Sequence, residues 1–367
     1  MKKTLVYLVA WILIVNIFAI LAVNRLNLKG DTVNSTLAPS EQNHVVFSWM
    51  PFSLRTNWDS NWYVDISQNG YHLESNGRHA TAAFFPLYPL LMRAFAPLVG
   101  GVHVLSGWLL NIFFLAGVVA ALYRLVKEFH PSLEPTAPIF YLLIFPAAFF
   151  LNAVYAECLF LLLSLLTFYY ALKNRFTLAG VFGLLASLTR ITGVLLLVPI
   201  AWEYFKRHPI KKRPDPSVLK PLLIPLGTVL FFLYHYYKFG DFLLFFKVES
   251  AWGRAFQFNA NHFLLLNHPS VVNLILDSLY ALFTLIMIYI AFKRGWVAYG
   301  LYMLSTVAVA LSTGTLMSIG RFVLVLFPIY IVLASIKGRN FERIYVTASV
   351  LLFALNIILF VNRYWAG

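Results

Sequence analysis

Charged residues are scarce in this chain. They make up 11% of its 367 residues, whereas 60% are hydrophobic and the mean hydropathy is +0.76. Soluble domains carry roughly 25% charged residues, so this composition excludes a soluble fold. Apolar runs of about twenty residues recur from end to end, and each can cross roughly 30 Å of hydrocarbon as a helix. The sequence therefore predicts an all-α polytopic membrane protein.

Residues that hold disulfides, metals or nucleotides are also few. The single cysteine, Cys158, lies inside an apolar run, which excludes a disulfide framework. The sequence contains no HExxH motif, no GxGxxG or GxxxxGK[ST] loop and no Cys/His spacing typical of metal sites. These absences exclude the soluble machinery that handles ATP and nucleotide sugars. The sequence requires no cofactor, although its outward-facing carboxylates allow a divalent cation.

Acidic residues are outnumbered two to one. The chain has 28 basic and 14 acidic residues, a formal net charge of +14. In a soluble protein this excess would indicate a nucleic-acid partner. In a protein with many spans, lysine and arginine are instead retained in cytoplasmic loops. We therefore expect membrane lipids and no nucleic acid as partners.

The apolar runs predict eleven spans within a single transmembrane domain, residues 1–367. The first run lacks a small-x-small cleavage site, so we interpret it as a retained span rather than a signal peptide. The spans are placed near 4–23, 103–124, 137–154, 157–172, 176–189, 193–205, 218–236, 271–292, 295–311, 321–336 and 344–362.

Basic residues predict the orientation of these spans. Seventeen lie on the side of the N-terminus and 11 on the other. The positive-inside rule then places the N-terminus in the cytoplasm. The long first loop, 24–102, and a second loop, 237–270, become extracytoplasmic, and the C-terminus lies outside.

Acidic residues are distributed in the opposite way. Five face inward, Asp277 lies inside a span near its outer end, and eight face outward. The outward ones are Asp31, Glu41, Asp59, Asp65, Glu74, Glu157, Asp241 and Glu249. The outer face is therefore where carboxylate chemistry is expected.

A short helix is predicted in the first outer loop. Asp59 is suited to cap a helix that begins at Ser60 or Asn61. On that helix Trp62 and Ile66 share a face, as in a segment that lies flat among lipid headgroups. The loop is therefore expected to carry short interfacial helices.

Two carboxylates, Asp59 and Asp65, lie among aromatic residues in this segment. A carboxylate beside aromatic surface such as Trp58 loses part of its hydration, which favours acceptance of a proton from a hydroxyl nucleophile. We take Asp59 as the candidate base. The alternative is an aromatic belt with a helix cap.

Residues 83–91 contain Pro86 and Pro89 in an apolar surround and are too broken to form a span. We expect the segment to re-enter or skim the outer leaflet and present Tyr88. The alternative is a turn that only anchors the loop.

Ionisable residues close to apolar runs are functional candidates because their burial is costly. Glu157 opens the fourth span. Arg190 lies between runs of 14 and 13 residues, too short to cross about 30 Å, and is expected below the outer surface. Its guanidinium can hold a lipid phosphate. The alternative is an ion pair with Glu157 or Asp277 that joins helices.

Further candidates follow on the outer side. Arg321 opens the tenth span and offers a second cation. Asp241, Trp252 and Arg254 combine carboxylate, indole and guanidinium, side chains that suit sugar or acceptor contact. Snorkelling or loop structure is the alternative for each.

Six short motifs, in order, resemble the PIG-V type of mannosyltransferase over residues 1 to about 335. They are Asn57-Trp58-Asp59-Ser60, Phe84-Phe85-Pro86-Leu87-Tyr88-Pro89, Phe145-Pro146 with Tyr155-Ala156-Glu157, Leu188-Thr189-Arg190-Ile191-Thr192-Gly193, Gly240-Asp241 with Ala251-Trp252-Gly253-Arg254, and Gly320-Arg321 with Phe327-Pro328. This family includes the enzyme that adds the second mannose in GPI-anchor assembly, and prokaryotic relatives.

The resemblance implies a GT-C superfamily glycosyltransferase. Such enzymes take a sugar from a polyprenyl-phosphate donor at the extracytoplasmic face, usually with inversion, and pass it to a lipid or glycan acceptor. The family's acidic residue maps onto Asp59 and its arginine onto Arg190. The compact first loop departs from the eukaryotic pattern, which implies a prokaryotic plasma-membrane enzyme of the cell envelope.

A transporter or lipid flippase is the competing class. Transporters commonly carry ionisable groups at the bilayer midplane and paired, interrupted helices. Here the predicted intramembrane charges gather at outer span ends, although the short fifth and sixth runs allow a broken helix. A non-catalytic scaffold does not explain why acids, indoles and guanidiniums share one face.

Overall fold

The computed structural model describes residues 2–26, 55–72, 80–209, 216–250, 254, 271–313, 315–364 and 366. Across these residues the chain is helical and contains no β-strand. Trp252 lies outside the described residues, as do 27–54 and 73–79 of the first predicted outer loop and 251–253 and 255–270 of the second.

The described α-helices, numbered in chain order, have the following bounds. They are α1 (Lys2–Arg25), α2 (Ser60–Asn69), α3 (Leu87–Phe95), α4 (His103–Phe129), α5 (Ala137–Leu143), α6 (Glu157–Leu172), α7 (Phe176–Ser187), α8 (Leu197–Arg207), α9 (Leu223–Phe239), α10 (Leu244–Glu249), α11 (Val271–Lys293), α12 (Val297–Ser312), α13 (Ile319–Leu324), α14 (Pro328–Ser335) and α15 (Arg339–Val361). Short 3₁₀ helices lie at Ala80–Ala83, Ala96–Val99, Ala148–Asn152, Ile191–Leu196 and Pro216–Leu219.

Four of these helices are long and apolar enough to cross a membrane: α1, α4, α11 and α15. Their apolar stretches run over Thr4–Arg25, His103–Phe129, Asn273–Lys293 and Arg339–Val361. The all-α membrane fold predicted from composition is therefore confirmed. The count of eleven spans stays a prediction, as does the division into one membrane domain with two outer loops.

Several predicted spans are interrupted. The run at 137–154 is split into α5 and the 3₁₀ helix Ala148–Asn152, with Pro146 between them. The run at 321–336 is split into α13 and α14, with Pro328 at the break, and the run at 193–205 begins as a 3₁₀ helix. A proline cannot donate a helical hydrogen bond, so each break frees backbone groups that need other partners.

Side-chain amides supply partners at the first break. Asn111 of α4 donates to the carbonyls of Ala153 at 2.5 Å and Tyr155 at 2.9 Å. Asn356 of α15 donates to the carbonyl of Pro146 at 3.0 Å. Buried carbonyls left by the break are thereby satisfied without water.

The described chain divides into two compact units. The first comprises 1–159 and 334–367, and the second comprises 160–333. In the first, α1 packs on α4 and α15, while α2 packs on α3 and α4. The chain passes from the first unit to the second within α6 and returns within α14.

In the second unit, small residues bring α7 and α9 close together. A methyl group added at Gly227 would lie 2.3 Å from the carbonyl oxygen of Leu184, and one at Gly180 would lie 2.4 Å from that of Lys220. The Ser187 hydroxyl also bonds the carbonyl of Ile224 at 2.5 Å. Close backbone approach of this kind is typical of helices in membranes.

Candidate active site

Helix α2 begins at Ser60, as the sequence predicted, with Asp59 in the capping position. The Asp59 side chain makes no hydrogen bond to the helix N-terminus, so the predicted side-chain cap is wrong. Trp62 and Ile66 share a face, but each is only 3% exposed, and Trp62 stacks on Phe84. The face that the sequence analysis expected against lipid headgroups is therefore packed against protein, and the interfacial position of the helix stays a prediction.

The turn before α2 has an unusual backbone. Trp58 lies in the left-handed region with φ +59°, which is rare for a bulky side chain. Its indole N–H donates to the carbonyl of Tyr364 at 3.1 Å. Asp59 follows at once and remains partly exposed, whereas Asn57 and Ser60 are buried on either side. The carboxylate is thus accessible on a constrained backbone.

Hydrogen bonds from distant segments hold the backbone around Asp59. Asn57 donates its amide to the carbonyl of Phe360 at 2.8 Å, and its own carbonyl accepts the Tyr155 hydroxyl at 2.9 Å. The Arg55 carbonyl accepts the Ser60 hydroxyl at 3.0 Å and a backbone N–H from the segment before α6 at 3.1 Å. These hydrogen bonds tie the turn to α15 and to the segment before α6.

A buried arginine that sequence analysis missed supports the same turn. Arg55 is 6% exposed, and its guanidinium lies 4.2 Å from the centre of the Trp108 ring. It donates to Asn16, which also accepts from Asn152 at 2.9 Å, and Asn152 in turn accepts from Trp108 at 3.2 Å. These four side chains close a ring of polar contacts. Burial lowers the pKa of Arg55 to about 10, so it remains charged near neutral pH.

One sequence feature would have indicated this ring. Asn16 is an amide within the otherwise apolar first span, and polar groups at such positions seek partners inside the bundle. Its partner in the loop could not be deduced from spacing.

The remaining candidates of the first unit are buried. Asp65 is 4% exposed, accepts from Asn69 at 2.7 Å and lies 3.5 Å from the imidazole of His72. Tyr88 is fully buried, and its hydroxyl donates to the carbonyl of Gly107 at 3.1 Å. Glu157 is fully buried at the start of α6. These positions place all three in the packed interior around the turn.

In the second unit, two arginines lie against one aromatic ring. The guanidinium carbon of Arg190 is 5.6 Å from the centre of the Phe322 ring, and that of Arg254 is 5.3 Å from the same centre. Arg190 precedes the 3₁₀ helix Ile191–Leu196 in an extended conformation. Arg254 also pairs with Glu249 at 3.3 Å. The structure thus brings together two candidates that are far apart in sequence.

The other candidates of this unit are placed differently. Arg321 is 7% exposed on α13. Asp241 forms an ion pair with Lys247 at 2.5 Å, and the hydrogen bond from Lys247 lowers the pKa of Asp241. Trp252 lies outside the described residues. In the described part of the chain no group of three His, Cys, Asp or Glu side chains is arranged to hold a metal ion.

The described residues are those of a helical membrane protein. It has a partly exposed acid on a constrained turn, and two arginines, Arg190 and Arg254, lie against one aromatic ring. Residues 1–226, more than half of the chain, match the family described as mannosyltransferase (PIG-V). The chain belongs to this family and is a membrane glycosyltransferase. A comparison with curated proteins found no match.

Proposed function

We propose that the protein transfers a hexose, specifically mannose, from a polyprenyl-phosphate donor to an extracytoplasmic lipid, glycan or protein acceptor, with inversion. The family supports a mannosyl transferase in a membrane. The proposed location is a prokaryotic plasma membrane, with the N-terminus in the cytoplasm and the reaction on the outer side, as the distribution of basic residues favours.

The observation that carries this proposal is the turn at Trp58 and Asp59. An uncommon backbone conformation that several remote hydrogen bonds maintain has an energetic cost, and such positions concentrate at functional sites. Here the conformation places a partly exposed acidic residue, Asp59, in a segment where Asn57 and Ser60 are buried. An ordinary helix cap would need neither the strained Trp58 nor its bond to Tyr364.

In the proposed reaction Asp59 acts as general base. It takes the proton of the acceptor hydroxyl as that oxygen forms a bond to the anomeric carbon of the donor sugar. The bond between this carbon and the donor phosphate oxygen breaks, and its electron pair stays with the phosphate. The products are the glycosylated acceptor, a polyprenyl phosphate with one more negative charge, and protonated Asp59.

Cations are needed where that negative charge develops. We assign the donor phosphate to Arg190 and Arg321, because guanidiniums bind phosphate oxygens in a bidentate manner and stabilise charge that grows in the transition state. Trp58, Asp65, Tyr88, Glu157, Asp241, Trp252 and Arg254 are the candidates for contact with sugar or acceptor. No cofactor enters this reaction, and an assay with and without a chelator measures whether a divalent cation contributes.

The test is transfer of labelled mannose from a polyprenyl-phosphate donor by the purified protein in detergent. Asp59→Asn is expected to reduce turnover by about a thousandfold, because a proton acceptor is removed with little change of shape. Glu134→Gln is the matched control, since Glu134 is an exposed acid bonded only to Thr136 in the described residues. Near wild-type turnover by Asp59→Asn would contradict the assignment.

The same purified protein also distinguishes the proposed enzyme from a transporter or lipid flippase. In proteoliposomes, a transporter or flippase would move labelled lipid or sugar across the membrane without forming a glycosidic product. Movement without transfer would overturn the proposed enzyme.

A further inference from the structure

The second unit contains a cavity of about 240 Å³ beside the paired arginines. Helices α10, α12 and α13 and the 3₁₀ helix Ile191–Leu196 contribute its walls. Most of the lining is apolar, and it includes Phe245, Phe246, Val309, Ala310, Leu316 and Ile319. A mainly apolar enclosure of this size suits a hydrocarbon chain, and hydroxyl groups of Thr192, Ser250, Thr313 and Thr315 form the neutral polar part of its lining.

The polar part of this lining carries charge. Arg254 and Glu249 both line the cavity and form an ion pair at 3.3 Å, and Arg254 also donates to the carbonyl of Met317 at 3.3 Å. Phe322 lines the cavity as well, and its ring lies within 5.6 Å of the Arg190 guanidinium and 5.3 Å of the Arg254 guanidinium. The two cations are therefore no further apart than the sum of these distances. A mainly apolar space lined by one guanidinium, that of Arg254, with the Arg190 guanidinium against the same Phe322 ring, fits an amphiphile with an anionic head.

We propose that this cavity receives the part of the donor's carbon chain next to its phosphate, and that Arg254 joins Arg190 in holding the phosphate, with Glu249 competing for Arg254. The inference rests on the proposed function, because the ligand is the polyprenyl phosphate of that reaction. It moves Arg254 from sugar contact to phosphate binding and adds an apolar subsite that no sequence motif indicated.

The competition by Glu249 has a physical basis in the charge of the lipid at each stage. The donor phosphate is a diester with one negative charge, whereas the released monoester carries about −1.5 to −2. A carboxylate competes more effectively with the singly charged donor than with the more strongly charged product. Arg254 is thus drawn from Glu249 as the glycosidic bond breaks, so its contribution grows in the transition state.

Equilibrium binding of a radiolabelled long-chain polyprenyl phosphate to the purified full-length protein tests this without requiring transfer. Arg254→Gln is expected to weaken binding about tenfold, because a charge-assisted contact is lost. Glu249→Gln is expected to tighten binding about threefold, because the competing charge is removed while the oxygen acceptor is kept. Leu316→Trp is expected to weaken binding by filling the apolar space.

Arg207→Gln is the matched control in the same unit. Arg207 pairs with Glu203 at 3.3 Å and donates to the carbonyl of Leu172, the same two kinds of contact that Arg254 makes, but it does not line the cavity. The Arg207→Gln variant is expected to bind polyprenyl phosphate as tightly as the wild type does. Each variant is compared with the wild type by thermal melting, so that a loss of binding is scored only for folded protein.

The outcomes distinguish the inference from the function on which it rests. Unchanged binding by Arg254→Gln, or weaker binding by Glu249→Gln, would overturn the inference. Neither result would contradict the assignment of polyprenyl phosphate as the donor's lipid. Equal binding of phosphatidylglycerol, or of the uncharged polyprenol, would show that the cavity is not selective for the proposed head and chain, and would overturn it too. A wild-type protein that binds no polyprenyl phosphate would remove the donor assignment itself.

Discussion

Arg55 lies four residues before Asp59 and carries a positive charge into the interior of the first unit. Its backbone carbonyl holds Ser60, while its side chain reaches Asn16 and the Trp108 ring. Two parts of the same residue therefore connect the turn to α1, α2 and α4. Among the described residues its Nε and Nη1 atoms have no hydrogen-bond partner. The hydrogen bonds of Arg55 therefore compensate only part of the hydration energy that its charge loses on burial.

Such a residue is better explained by positioning than by stability. The side-chain partners of Arg55 described above, Asn16 and Trp108, are neutral, so its replacement by an apolar side chain of similar size leaves neither of them with an uncompensated charge and costs little stability. We therefore expect Arg55→Met to leave the melting temperature nearly unchanged and to lower kcat about tenfold, with KM nearly constant, because Asp59 is displaced. Steady-state kinetics of the transfer assay measure this.

Two further variants complete that experiment. Arg93→Met removes an exposed arginine that donates to the carbonyl of Gln68 at 3.2 Å, and it is expected to retain wild-type kinetics. Arg55→Lys is expected to recover little of the lost kcat, because an ammonium lacks the planar guanidinium that lies 4.2 Å from the centre of the Trp108 ring. A rise in KM with constant kcat in Arg55→Met would contradict the positioning role.

The sequence around Asp59 predicted where the helix begins but not what supports the candidate base. The start of α2 at Ser60 followed from local capping preferences and was confirmed. The actual support of Asp59 comes from Asn57, Trp58 and their acceptors Phe360 and Tyr364, about 300 residues further along. No local pattern identifies partners so distant. The predicted cap was wrong because Asp59 itself has helical φ and ψ, whereas a capping residue is typically extended.

At the scale of helices, prediction succeeded where one apolar run makes one helix. The sequence placed spans at 157–172 and 271–292, and the structure has α6 at Glu157–Leu172 and α11 at Val271–Lys293. It failed at 137–154, where Pro146 breaks the run and remote amides make the break tolerable. Whether a proline kinks, breaks or merely bends an apolar helix depends on such partners.

Asn111 offers a direct test of this support. Its amide bonds the carbonyls of Ala153 and Tyr155, and the Tyr155 hydroxyl bonds Asn57 beside the candidate base. Asn111→Leu is expected to lower the free energy of unfolding by about 1–3 kcal/mol, because both buried carbonyls lose the side-chain donor of Asn111 and that of Ala153 keeps the backbone N–H of Tyr155. The loss is measured by denaturant or thermal unfolding in detergent.

Asn24→Leu provides the comparison for Asn111→Leu. The Asn24 amide bonds the carbonyl of Ile20 within its own helix at an exposed position, so we expect a change below about 0.5 kcal/mol. Equal effects of the two substitutions would show that the break after α5 does not depend on Asn111.

At the scale of the whole molecule, the orientation in the membrane connects the site to its substrate. The proposed donor is used outside the cytoplasm, so the proposed role of Asp59 as base requires it on the outer face, where the predicted topology places it. That topology follows from 17 basic residues on one side against 11 on the other. The difference is decisive mainly in short loops, and five of the 11 lie in the long first loop, where the rule has little force.

Labelling of introduced cysteines tests this topology. The only native cysteine, Cys158, is fully buried and is expected to give little background. Glu134 and Lys238 are exposed residues predicted on opposite sides. In intact cells, an impermeant maleimide is expected to label Lys238→Cys and spare Glu134→Cys until the membrane is opened. The reverse pattern would place the candidate base in the cytoplasm, where the proposed donor is not presented, and labelling of both positions in intact cells would contradict the predicted number of crossings between them.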